Sequence, residues 1–108
     1  MAATPEKIVK KRVYALLDLY GAYYFSPMTH GYGRSGVPDI IACYEGKFLG
    51  IECKAGKNQP TALQQRELDN INKSGGFDFV VRLENMHELE AWLKLLVGSP
   101  PQGGDESA

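Results

Sequence analysis

No stretch of these 108 residues is apolar for long enough to span a bilayer, and no signal-peptide pattern opens the chain. A membrane partner is therefore not expected, and the sequence reads as soluble and cytoplasmic. Cysteine is scarce. Cys43 and Cys53 are the only two, and no Cys-x-x-Cys pair or Cys/His cluster accompanies them, which argues against a structural zinc site. Two ordinary thiols in a reducing compartment are what that usage implies. A basic excess is missing as well. Twelve Lys and Arg stand against 13 Asp and Glu, for a net charge of −1. That balance argues against a nonspecific nucleic-acid binder unless the positive side chains gather on one face.

What is present fits one small domain. Thr4-Pro5-Glu6 is a helix start, with Thr4 as N-cap, Pro5 at the first helical position and an acid in the first turn. The helix is expected to run to about Tyr20 and to end at Gly21. Residues 25–37 hold Pro27 and three glycines and read as a long loop, a kind of segment that usually carries function in a small domain. Two β-rich runs follow, over 39–44 and 47–54, separated by the turn pair Glu45-Gly46. Thr61 with Gln64 is a capping-box start for a second helix, which Ser74-Gly75-Gly76 stops. A third strand over 77–82 and a last helix, capped by Asn85 and Glu88 and reaching about Val97, complete the domain. Its limits are set at 1–97, with 98–108 a disordered tail. The order α-β-β-α-β-α predicts an α/β fold. Helices flank a small mixed β-sheet, whose first two strands are antiparallel and whose third is joined to the second by a crossover helix.

The hairpin fixes where the chemistry falls. With Glu45-Gly46 as the turn, Tyr44 pairs with Lys47 and residue 39 faces residue 52. Asp39 and Glu52 then lie opposite each other on one sheet face, Cβ atoms about 5 Å apart. Lys54, two residues beyond Glu52, points to that same face. Like charges placed opposite each other destabilise a sheet, so something positive is expected between them, and both a divalent cation and the Lys54 ammonium serve. The same register points Cys43 and Cys53 to opposite faces, so no disulfide is expected between them. Helical periodicity adds two polar residues. Val9, Val13, Leu16, Leu17 and Tyr20 form the apolar stripe of the first helix, and Glu6 falls on it. Leu63, Leu68 and Ile71 mark the buried face of the second, with Gln64 inside it.

Each of these residues taken singly has a plainer reading. Glu6 can simply favour the helix dipole, Gln64 can complete a capping box, Asp39 can be a strand-entry residue, and Glu52 and Lys54 can belong to a solvated strand edge. Their joint convergence favours a site. Apolar Trp92, Leu93, Leu95 and Leu96 on the last helix read as core in preference to a dimer interface.

Gly33-Arg34-Ser35-Gly36-Val37-Pro38-Asp39, then Ile51-Glu52-Cys53-Lys54, then Thr61-Ala62-Leu63-Gln64 resemble the VRR-NUC branch of the PD-(D/E)xK nuclease superfamily, over about residues 6–81. The resemblance implies a restriction-endonuclease-like fold and a set of roles. Asp39 and Glu52 match the metal-binding carboxylates, the backbone carbonyl of Cys53 a further ligand, and Lys54 the lysine that orients or activates the attacking water. Glu6 and Gln64 match a helix glutamate and glutamine that assist the metal site, Glu6 directly or indirectly. Cys53 departs from the pattern, which more usually has a β-branched residue there. Mg²⁺ or Mn²⁺ is the implied cofactor, and hydrolysis to a 5′-phosphate and a 3′-hydroxyl the implied reaction. Short stand-alone members, many viral or bacterial, resemble Holliday-junction resolvases. The expected function is thus cleavage of branched DNA, at four-way junctions, by a C₂ homodimer, in a cell or as a viral protein in a bacterial host. Tyr32, Arg34 and Ser35 of the loop, with Lys57 and the Lys7, Lys10 and Lys11 cluster, form the expected DNA-binding surface, although the lysines can also be a solvated helix face. Two other readings stay open: a nuclease for flaps, nicks or duplex DNA, and a catalytically silent nucleic-acid-binding module.

Overall fold

The computed structural model describes residues 4–28 and 33–97. Its first helix, α1 (Pro5–Tyr20), begins where Thr4 is still extended and its hydroxyl accepts the Lys7 N–H at 3.2 Å. That bond satisfies one of the N–H groups a helix start leaves unpaired, and Pro5 removes another. Gly21 ends the helix in the left-handed conformation, and Val9, Val13, Leu16 and Leu17 form its buried side.

The chain then departs from expectation. Tyr23–Phe25 is a strand, β1, paired antiparallel with β2 (Ile40–Tyr44) through Tyr23 with Cys43, Tyr24 with Ala42 and Phe25 with Ile41. Three consecutive aromatics favour a pleated backbone, but three residues are too few to show a period of two. The observed order is therefore α-β-β-β-α-β-α.

β2 turns into β3 (Lys47–Cys53) through Glu45 and Gly46, which have φ of 52° and 76°. Both lie in the left-handed region, as the tight hairpin turn matching strand twist requires. The register runs from Tyr44 with Lys47 to Ile40 with Ile51. Glu45 is the one non-glycine with positive φ among the described residues. Its Cβ meets a steric penalty that asparagine tolerates better. Glu45→Asn is accordingly expected to stabilise the protein by about 0.5–1 kcal/mol, measurable as a raised midpoint in urea denaturation. An unchanged or lowered midpoint would count against this account of the turn.

The second helix, α2 (Ala62–Lys73), opens with a complete capping box. The Thr61 hydroxyl accepts the Gln64 N–H at 3.2 Å, while Gln64 Oε1 accepts the Thr61 N–H at 2.9 Å. The helix crosses to β4 (Phe77–Val81), which runs parallel to β3. A 3-10 turn, Leu83–Asn85, leads into α3 (Met86–Leu96). Asn85 and Glu88 do not form the expected capping box. The Asn85 side chain instead accepts the Arg82 N–H at 2.7 Å and donates to the Val80 carbonyl at 3.0 Å, tying the turn back to β4.

The sheet order is β1-β2-β3-β4, a four-stranded mixed sheet with three α-helices. Strand alternation sorts its faces. Ile40, Ala42 and Tyr44 with Leu49, Ile51 and Cys53 face α1 and α3, and close the core with Val81, Leu89 and Leu93. Asp39, Gly50 and Glu52 belong to the other face, where α2 packs: a Cβ added at Gly50 would run into Ile71 and Pro38. Two positions expected to be apolar core are exposed, Leu63 at 45% and Leu95 at 80%. Leu63 sits in the first turn of α2, where its backbone meets the loop at Gly36. Glu67 and Leu68 are the buried residues of that helix. No described helix is long and apolar enough to cross a membrane.

Candidate active site

Asp39 is the last residue before β2, and its position follows from the proline that precedes it. Pro38 is buried and biases the chain toward extended backbone, so the aspartate enters the strand already aligned with its neighbour. Its Oδ2 accepts the backbone N–H of Cys53 at 2.8 Å. The carboxylate is thereby fastened across the hairpin to the strand that carries Glu52.

Glu52 is 2% exposed, an unusual burial for a carboxylate. Its Oε2 lies 3.6 Å from the Lys54 Nζ, and Lys54 is itself buried. The other oxygen, Oε1, is buried with no hydrogen-bond partner. Burial raises the Glu52 carboxyl most, and the charge of Asp39 raises it further. Lys54 and the nearby Asp39 amide act the other way, and the net effect is a carboxyl pushed up to about 7. A lone carboxyl oxygen left unpaired in such surroundings carries a desolvation penalty of about 1–3 kcal/mol. Buried Glu52 and Lys54 with half-buried Asp39 thus form a two-acid, one-amine cluster that lacks one donor or cation. The neighbouring Cys53 thiol is no alternative centre. Burial first, then Asp39 and Glu52, push it up to about 12, so it stays neutral and weakly nucleophilic at physiological pH.

Around this cluster the other expected residues divide. Lys10 from α1, Arg34, Ser35 and Asp39 from the loop, and Gln64 from α2 line one cleft. The Gln64 oxygen is already used by the capping box, which leaves only its amide nitrogen for anything in that cleft. Glu6 and Lys57 line a separate depression with Asn58, whose side-chain nitrogen lies 3.4 Å from Glu6 Oε2. Glu6 acts on Cys53 at the end of β3, whereas the charges acting on Glu52 are those of Asp39 and Lys54. Lys7 and Lys11 are exposed on α1. Tyr32 and the tail, 98–108, lie outside the described residues. Cys43 is exposed, Cys53 is buried, and both are free thiols. Among the described residues no group of three or more His, Cys, Asp or Glu side chains is gathered as a metal cluster. The acids at the centre number two.

Two residues of the surroundings escaped the sequence reading. Arg34 Nε donates to Glu67 Oε1 at 2.7 Å, and Glu67 is 6% exposed. Its position one turn after Gln64 and beside Leu68 was the available signal. Arg82 donates to the Gly56 carbonyl at 3.2 Å and reaches the Asn58 carbonyl and the Gln59 side chain as well. It pins the loop that follows Lys54, and nothing in the local sequence announces that contact. Comparison with family models and with curated proteins gives no match for this chain.

Proposed function

We propose that this chain is a metal-dependent DNA endonuclease of the VRR-NUC type, acting in the cytoplasm, whether of its own cell or of a virus-infected bacterium, as a homodimer on four-way junctions. The observation that carries the reading is Glu52 Oε1, a buried carboxyl oxygen with no partner beside a second acid and a single amine. A buried glutamate beside a second carboxylate needs a cation to be stable in its ionised form, and oxygen donors suit Mg²⁺ or Mn²⁺. Asp39 and Glu52 would hold that ion, with the Cys53 carbonyl as the backbone ligand the family resemblance implies. Glu6 and Gln64 remain assisting residues of the same resemblance, at the margin of the cluster.

A divalent cation bound there supplies Lewis-acid polarisation of a phosphodiester and a lowered pKa for a bound water. The chain's own residues do the rest. The Cys53 N–H orients Asp39, so its free oxygen has one direction. Lys54, 3.6 Å from Glu52, keeps its ammonium next to the acids, where it stabilises charge developing on a phosphate oxygen or takes part in moving the proton of the attacking water. Lys10 and Arg34 on the wall of the Asp39 cleft answer the objection of net charge. They concentrate positive side chains where a DNA backbone would pass, in a protein that is near neutral as a whole.

The test is incubation of the protein with four-way junction, flap, nicked and linear duplex DNA, in Mg²⁺, in Mn²⁺ and in EDTA, beside a sedimentation measurement of oligomeric state. Junction cleavage by a dimer in either metal and none in EDTA supports the proposal. Preference for a flap or nick would redirect the substrate while keeping the chemistry. Absence of cleavage on every DNA in both metals would end the nuclease reading.

A further inference from the structure

We propose that Glu67 is a positioning residue that aims the Arg34 guanidinium at a DNA backbone phosphate beside the Asp39, Glu52 and Lys54 cluster. The inference rests on the nuclease reading above and adds to it a residue that neither the motifs nor the acid pair single out.

Among the described residues Glu67 is one of two buried acids without a full set of partners, and the other is Glu52. An isolated carboxylate is expensive to bury, so its presence calls for a compensating group. Arg34 is that group: its Nε donates to Glu67 Oε1 at 2.7 Å. The second oxygen, Oε2, is buried with no hydrogen bond, and the Arg66 guanidinium is 3.7 Å from it. Burial is one-sided. The Glu67 side chain is 7% exposed and the Arg34 side chain 65%. Here the acid is fixed inside the helix–sheet junction while most of the base remains in solvent.

The geometry of a guanidinium gives that asymmetry a use. Its planar fork can bond a carboxylate through Nε and still present its terminal nitrogens to a second anion. Among the described residues Nε is the only Arg34 nitrogen that hydrogen-bonds a carboxylate. Arg34 also lines the same cleft as Asp39 and Gln64. The segment that carries it is seated on α2, since Gly36 approaches the Leu63 backbone so closely that no side chain fits between them. A capped helix, a buried acid and a seated loop together set the direction of one long side chain. Fixing it beforehand lowers the entropy lost when a phosphate binds.

The test separates positioning from plain charge by the sign of the effect. Glu67→Gln removes a negative charge close to the DNA path, which by Coulomb attraction alone should tighten DNA binding. Positioning predicts that it weakens. The measurement is binding of a fluorescein-labelled four-way junction, and of a duplex of the same sequence, to the full chain in Ca²⁺ over a salt series, with a thermal melt of each variant. Glu67→Gln is expected to weaken binding about 5- to 10-fold and to lower the slope of log affinity against log salt by about one. Arg34→Ala should do the same, and the double variant should be no weaker than Arg34→Ala alone. Arg34→Lys, a surface change that keeps the charge, should also weaken binding, which keeps the test decisive if Glu67→Gln melts early. Equal or tighter binding by a folded Glu67→Gln, or unaltered binding by Arg34→Lys, would overturn the inference alone. No DNA binding by the unmutated protein would remove the nuclease reading and this inference with it.

Discussion

Glu52→Gln is expected to have opposite effects on function and on stability. Metal-dependent cleavage should fall by roughly 10³-fold or more, because a neutral amide neither holds a hard cation as a carboxylate does nor balances Lys54. In EDTA at pH 8, the same variant should be more stable than the parent. The Glu52 carboxyl is raised from 4.5 to about 7 in the fold, chiefly by burial. An acid whose folded value lies above its unfolded value favours folding while protonated. Its contribution is complete below about 4.5 and is lost as pH rises through about 7. That difference corresponds to about 3 kcal/mol. The buried Lys54 loses its partner in the variant, which reduces the net gain to on the order of 1–2 kcal/mol. Denaturation in urea at pH 4 and pH 8 checks it. The advantage of the glutamine should disappear at pH 4 and should reverse at pH 8 when Mg²⁺ is added, since only the parent gains from the ion. A glutamine variant less stable than its parent at pH 8 in EDTA would mean that the acid cluster is satisfied within the chain, which removes the motive for a cation.

How the sequence disclosed this cluster, and where it stopped, has a physical basis. A tight hairpin has a rigid register, so locating the turn at Glu45-Gly46 was enough to set Asp39 opposite Glu52 and to separate the two cysteines. Helix caps were equally legible, because Thr4 and the Thr61 and Gln64 pair act on amides three residues away. What failed depended on contacts distant in sequence. β1 exists because β2 offers it an edge. Leu63 is exposed although it fits the apolar stripe, since the first turn of α2 meets a loop where a sheet was expected. The Arg34 and Glu67 pair spans 33 residues and the Arg82 contacts more than 20, and no periodicity reports such distances. Asn85 failed as a cap for a local reason: its side chain turns back to accept the Arg82 N–H and to donate to the Val80 carbonyl.

The loop entering the site is tied to α2 at a glycine. Gly36 has φ of 78°, and a Cβ there would lie 2.7 Å from the Leu63 carbonyl carbon and oxygen. Those are backbone atoms of a capped helix and cannot swing aside as a side-chain end would. Gly36→Ala therefore combines a backbone penalty with a collision, for a combined cost of about 2–4 kcal/mol. Gly33→Ala is the control. Its φ is 77°, nearly the same, yet a Cβ there meets nothing within 4 Å, so only the backbone penalty of about 1–2 kcal/mol applies. Urea denaturation of the two variants should show the larger loss at Gly36. The excess measures the close approach of loop and helix. If the chain relieves the collision by lifting the loop, the cost appears in function: Arg34, two residues earlier, leaves Glu67, and Asp39, three residues later, loses its alignment with Cys53. DNA binding and cleavage should then both fall about tenfold or more, while Gly33→Ala keeps most of each. Equal stability losses at the two glycines would show that the loop rests on α2 without being seated there, and the preset direction of Arg34 would lose its support.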